Sequence, residues 1–269
     1  MTSASGARDA GTIVARVEAH QRRSRLVFRL KSMAVWALLI GALLGVLWAT
    51  GNIDLSFIGQ WGPYILGGAG ITLLLSVVSI VFATILAILG AMGRLSRNPY
   101  LSGLASLYVS LVRGTPLIVQ IFFIYFGLPQ VGVVLPSIPA GIIALSFNYG
   151  AYMTEIFRAG IQAVPRGQRE AAQSLGMPER LVMRRIVLPQ AFRIVIPAIG
   201  NDFVAMLKDS ALVSTIAVQE LLWRASQVGT QKFRSLEALL IAAAVYWILT
   251  SVFSAGQERL EQRMARSDR

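Results

Sequence analysis

From residue 55 to residue 93 the chain carries no charged side chain. A run of that length has no place in an ordinary soluble domain, and about 20 apolar residues already cross a hydrocarbon core roughly 30 Å thick. Inside lipid the backbone must satisfy its own hydrogen bonds, which a helix does. Residues 64–92 therefore suit one long or tilted membrane helix, and the rest of the chain is read around it. The composition agrees, with 55% hydrophobic and 14% charged residues over 269 positions.

Further charge-free runs place further helices. Residues 33–50 form the first, and 238–257, bracketed by Glu237 and Glu258, form the last. The alternative for 33–50 is a cleavable signal peptide, which the long basic leader and the missing small-residue cleavage site disfavour. Between Arg113 and Glu155 the uncharged stretch is too long for one crossing, and Pro129, Pro136 and Pro139 divide it into helices over 104–128 and 140–157. A fifth segment, 189–207, carries Arg193, Asn201 and Asp202 and is poor by hydropathy. Charge bias argues for it. Seven basic residues precede the first span, Arg94 and Arg97 follow the second, seven arginines from Arg158 to Arg193 surround the loop after the fourth, and four follow the last. Basic flanks belong on the cytoplasmic side, so the chain needs an even number of crossings after that loop. Four basic residues within 208–234 weigh the other way. The reading is a basic cytoplasmic tail over 1–32, a membrane domain over 33–257 and a cytoplasmic tail over 258–269.

Several chemistries are excluded. There is no cysteine, and His20 is the single histidine, so zinc sites of the usual kinds cannot be built. No Gly-x-x-x-x-Gly-Lys-Ser/Thr phosphate loop occurs, so nucleotide hydrolysis must come from another subunit. The net charge of +12 flanks apolar runs instead of forming a stripe with stacking aromatics, which points to topology and not to nucleic acid. No catalytic constellation is present.

Function concentrates in the arginine-rich loop. Pro165 and Gly167 stop the preceding helix, and residues 168–175 make two turns in which Ala171, Ala172 and Ser174 permit close backbone approach. Gly176 supplies a chain reversal, Pro178 and Glu179 suit the start of a second short helix, and Pro189 is expected to limit it and redirect the chain. Glu170, Ala171, Ala172, Ser174, Leu175, Gly176, Leu188 and Pro189 are thus candidate docking residues within a coupling segment, 165–189.

Polar groups at membrane depth usually face a bundle interior or a wet cavity. The candidates for a solute pathway are Arg113, Thr115, Gln120, Asn148, Tyr152, Glu155, Asn201 and Asp202. Asn148, Tyr152 and Glu155 share one helix face by their spacing. Three have a plainer alternative: Asn148 as an interhelical hydrogen bonder, Glu155 as the partner of Arg158, and Arg113 as a headgroup anchor at a cytoplasmic helix end. Lys208, Asp209 and Ser210 read either as an outer gate or as a local ion pair with a serine cap.

The run Glu170-Ala171-Ala172, Gly176 and then Ile186-Val187-Leu188-Pro189 resembles the coupling segment of permease subunits of binding-protein-dependent ABC importers. Arg113-Gly114-Thr115-Pro116-Leu117, Asn148-Tyr149-Gly150-Ala151-Tyr152, Glu155-Ile156-Phe157-Arg158 and Leu207-Lys208-Asp209-Ser210 narrow the resemblance to the polar amino acid uptake family, over about 63–262. Ala211 departs from the hydroxyl pair that many relatives carry there. The resemblance implies an all-α type I importer permease fold of six transmembrane helices, five in a core and one N-terminal. It implies a bacterial inner membrane location with both termini cytoplasmic. It also implies an ATP-binding ABC ATPase dimer, a second permease copy and an extracytoplasmic solute-binding protein as partners, with ATP and Mg on the ATPase and no cofactor on this chain. Two rivals from other classes are an ion-coupled secondary carrier, in which Glu155 or Asp202 relays a proton, and a membrane scaffold that moves nothing. The absence of two matching halves counts against the carrier.

Overall fold

The structure is a computed structural model that describes residues 24, 27, 28, 30–42, 45, 46, 49 and 54–266. The chain divides at Leu55 into two units. In the first, the described helix is α1, Leu30–Ala42, so the expected first span is helical where described and otherwise lies outside the described residues, as does most of the basic tail.

The second unit is helical throughout, with turns between. Helix α2, Leu55–Leu66, leads through Gly67 into α3, Gly68–Leu95. Helix α4, Pro99–Arg113, opens on Asn98, whose side chain accepts from the Tyr100 N–H, and carries its proline in the first turn where no donor is lost. Helix α5, Leu117–Phe122, runs into a π segment, Phe123–Gly127, and a 3-10 turn, Leu128–Val131, closed by Gly132 at φ +87. Helix α6 spans Ser137–Gln162, α7 Arg166–Ser174 and α8 Glu179–Val182. A second π segment, Met183–Val187, joins α8 to α9, Leu188–Asp209. A 3-10 stretch, Ser210–Ile216, precedes α10, Leu221–Lys232, and α11, Ser235–Arg266.

The expected single helix over 104–128 is corrected: α4 and the segment from Leu117 to Val131 meet at 106°. Pro116 cannot donate to a preceding turn and pushes Thr115 away from helical backbone. Conversely, α6 begins before Pro139, because a proline in the first turn removes only an N–H that has no intrahelical partner. Among the described residues two helices are long and apolar enough to cross a membrane, Leu55–Leu95 and Ser235–Met264, or three if the bent pair counts as one span. Helices α6 and α9 have the length but carry the polar residues on which the pathway reading rests.

Helices α3 and α6 form the centre. Their facing residues are small, with Ala83, Ala87 and Ala91 on one and Ala140, Ala144 and Ala151 on the other, all buried. A Cβ at Gly90 would lie 2.3 Å from Thr154 Oγ1, and one at Gly150 would lie 2.9 Å from Leu86 Cβ. Such contact brings the two backbones together, which in lipid is how packing stabilises helix pairs. Leu75, Ile121, Leu145, Met153 and Met206 fill the remaining centre. A second cluster, Phe57, Ile65, Leu221, Ala225, Val228, Ala238 and Ala242, joins α2, α10 and α11. There Gly68 lies against the backbone of Leu221, leaving 2.7 Å for any added Cβ.

Candidate functional site

The loop between α6 and α9 folds as a self-contained elbow. Helix α7 ends at Leu175, and Gly176 takes φ +78, so that the Gly176 N–H reaches Gln173 O at 2.9 Å and the Met177 N–H reaches Ala172 O at 3.1 Å. This is the helix stop that glycine favours because a Cβ strains left-handed backbone. Ala172 turns inward with Val164, Val182 and Val187, covered by Ile161, Met177, Met183 and Ile186. Ala172 is therefore a core residue of the elbow and not part of its outer surface. Glu170, Ala171, Ser174, Leu175 and Gly176 are exposed, Leu175 at 83%. Most other large apolar residues of the arm are packed in its own core.

Pro189 does not redirect the chain. It stands in the first turn of α9, and the π segment just before it widens the hydrogen-bond ladder where the proline has no N–H to give. Leu188 is half-buried and Pro189 exposed. The arm is tied at both ends: Arg169 Nη2 donates to Ile161 O at 3.1 Å, and Gln190 Nε2 donates to Gln168 Oε1 and, at 2.9 Å, to Ile186 O. Gln173 Nε2 further donates to Glu179 Oε2 at 2.8 Å across the turn, and Ser174 Oγ to Glu170 O at 2.9 Å. These bonds fasten the arm to α6 through Ile161 and to α9 through Gln190.

The polar residues within the bundle sort into separate groups. Gln120 Nε2 donates to Val112 O at 2.8 Å and to Thr115 O and Thr115 Oγ1, both at 3.1 Å, so Gln120 laces the bend between α4 and α5. Arg113 stacks on Tyr152, 5.1 Å from the ring centroid. Arg113 is the last residue of α4, and Tyr152 lies well inside α6, which continues to Gln162. Glu155 sits in an ion cluster, 3.1 Å from Arg94 Nε and 2.7 Å from Arg158 Nη2. Arg94 also donates to Ser106 Oγ, so three helices meet there. Glu155 is thereby engaged as a structural partner of both arginines. Asn148 is buried, Asn201 exposed and Asp202 half-buried. A cavity of about 440 Å³ beside the bend is lined by Val112, Thr115, Gln120, Phe123 and Phe147 among others, and is nearly all apolar.

Two connections escaped sequence reasoning. Tyr149 donates to Asp209 Oδ2 at 2.7 Å, joining α6 to the end of α9, so Asp209 does not pair with Lys208. Glu220, fully buried, caps α10 by accepting from the Trp223 N–H at 2.8 Å and takes further bonds from Thr72 Oγ1 at 3.3 Å and Tyr246 OH at 2.5 Å. Burial pushes the Glu220 carboxyl above its ordinary range, with these hydrogen bonds opposing. The available sequence signal was an acidic residue directly ahead of a helix.

Residues 83–266 match the protein family described as binding-protein-dependent transport system inner membrane component. The chain belongs to this family. This inner membrane component is accordingly a polytopic translocation subunit. It is 40% identical over 205 residues to the L-cystine transport system permease protein TcyB of Bacillus subtilis (strain 168), covering 76% of this chain and 88% of that protein. It is 38% identical to the arginine transport system permease protein ArtQ of the same organism, covering 81% and 100%. Its fold is similar to a chain in the crystal structure of an amino acid ABC transporter with histidines, at TM-score 0.76 and 38% identity, covering 78% of this chain and 99% of that one.

Proposed function

We propose that this chain is the permease subunit of an ATP-driven importer for a polar amino acid or amino-acid-like solute, worked by alternating access. A separate ABC ATPase dimer, holding ATP and Mg, docks on the elbow 165–189. When it closes on ATP, the arm moves as one body with α6 and α9, and the pathway opens toward an extracytoplasmic solute-binding protein. Hydrolysis reverses the tilt. Packed elements have discrete arrangements, so a rigid arm transmits such motion. A second permease copy, identical or paralogous, completes the pathway. The observation that carries this reading is the exposed Leu175 ridge on an arm hydrogen-bonded to both neighbouring helices. The names of the similar permeases support the solute class.

Both termini then lie in the cytoplasm. Of the four basic residues of the outer region that weighed against that topology, three are engaged locally. Arg224 donates to Tyr64 O at 3.0 Å, Lys232 lies 5.0 Å from the Trp61 ring centroid, and Arg234 pairs with Glu237 at 2.7 Å.

The test is uptake into vesicles holding the chain with its ATPase and binding protein, loaded with ATP and without an ion gradient. Labelled amino acids should accumulate, and only with the ATPase present. Accumulation driven by an ion gradient alone would overturn the reading.

A further inference from the structure

Helix α10 is closed by Phe233, which takes φ +55. The Phe233 N–H turns back to Thr230 O at 3.4 Å and the Arg234 N–H to Gly229 O at 2.8 Å, the stop that glycine ordinarily supplies. A side chain in the left-handed region is strained, and here it is a phenyl ring standing 94% exposed. The ring gains no packing among the described residues to offset either cost. Both choices are unfavourable in water.

The neighbours say what covers it. Just before it, Lys232 lies over Trp61, Trp61 meets Tyr64 edge-on with centroids 6.4 Å apart, and Arg224 stacks on Tyr64 at 5.1 Å. Just after it, α11 begins at Ser235 and supplies a continuous helix long and apolar enough to cross a membrane. Aromatic rings interleaved with cations at the end of a crossing helix are the composition of the membrane–water boundary, where a ring finds acyl chains and its cations find headgroups. A protein-docking surface would not require this alternation at that helix end.

We propose that Phe233 is a lipid anchor: its ring seats in the headgroup–acyl boundary of the bilayer and holds the turn between α10 and α11 at that depth. The proposal rests on membership of the inner membrane family and not on the solute carried.

The chain has no cysteine, so Phe233→Cys carries a single thiol for a nitroxide label. In vesicles of phosphatidylethanolamine and phosphatidylglycerol, the label's collisions with oxygen and with a water-soluble nickel chelate are compared with labels at Leu239→Cys on α11 and Leu175→Cys on the elbow. Oxygen-dominated collisions near the Leu239→Cys value are expected. Nickel-dominated collisions like those at Leu175→Cys overturn the anchor, and so does a water-exposed label shielded only when the binding protein is added. A second variant does not depend on the label. In the same bilayer Phe233→Gly should melt no higher than the parent, because lost lipid contact cancels the relieved strain. A rise of about 2–4 °C would mean that nothing had offset the strain, and would contradict the proposal.

Discussion

At Gly176 an added Cβ would meet no atom within 4 Å, yet φ is +78. Space is therefore irrelevant there and backbone strain decides, at about 1–2 kcal/mol for a side chain in the left-handed region. Asn tolerates that region better than a β-branched residue does. Gly176→Asn is thus expected to retain most ATP-dependent uptake, and Gly176→Val to lose most of it while still inserting in the membrane. Equal activity of the two, measured as initial uptake rates at matched membrane levels, would contradict the turn argument. Gly90 presents the opposite case, since its φ is unremarkable and Thr154 occupies the space. The elbow turn was legible in the sequence because Gly176 follows two helical turns and precedes Pro178. The inward facing of Ala172 was not, because an alanine's side is set by what packs on it.

Among elements, the tie of α3, α4 and α6 at Glu155 joins residues that sequence reasoning had partly paired. Arg158, three positions on, was legible from helical spacing. Arg94 was not, because it comes from another helix. The two arginines share one carboxylate, so the Arg94→Ala and Glu155→Ala effects should be non-additive by about 0.5 kcal/mol or more in melting experiments in detergent. Simple additivity would remove the tie. The Glu220 junction is governed by pH. Its pKa is raised in the fold, so its contribution to stability is fully present below the ordinary carboxyl value of 4.5 and is lost as pH rises through the folded value. Glu220→Gln should accordingly flatten the fall in melting temperature with rising pH in that range. An unchanged slope would mean that the carboxyl keeps its ordinary pKa. This junction was illegible because Glu220 meets Thr72 from 148 positions away. Similarly, the helix expected over 104–128 missed the 106° bend after α4, where Gln120 reaches back to Val112 and Thr115.

At the scale of the molecule, helices were readable wherever charges stop, because the cost of charge in lipid is large. Their ends were less so, since proline is tolerated in a first turn and α6 and α9 run past their apolar portions. Among the expected pathway residues, Arg113 contacts Tyr152 and Gln120 contacts Thr115, while Asn148 is buried on α6. The most direct test replaces Leu175, the most exposed apolar side chain of the arm. Leu175→Asp lies outside the elbow core, so the chain should insert and bind its second copy normally. ATPase docking, followed by co-purification, should fall at least tenfold, and ATP-driven uptake with it. Full uptake by Leu175→Asp at normal membrane levels would contradict the claim that this ridge receives the force.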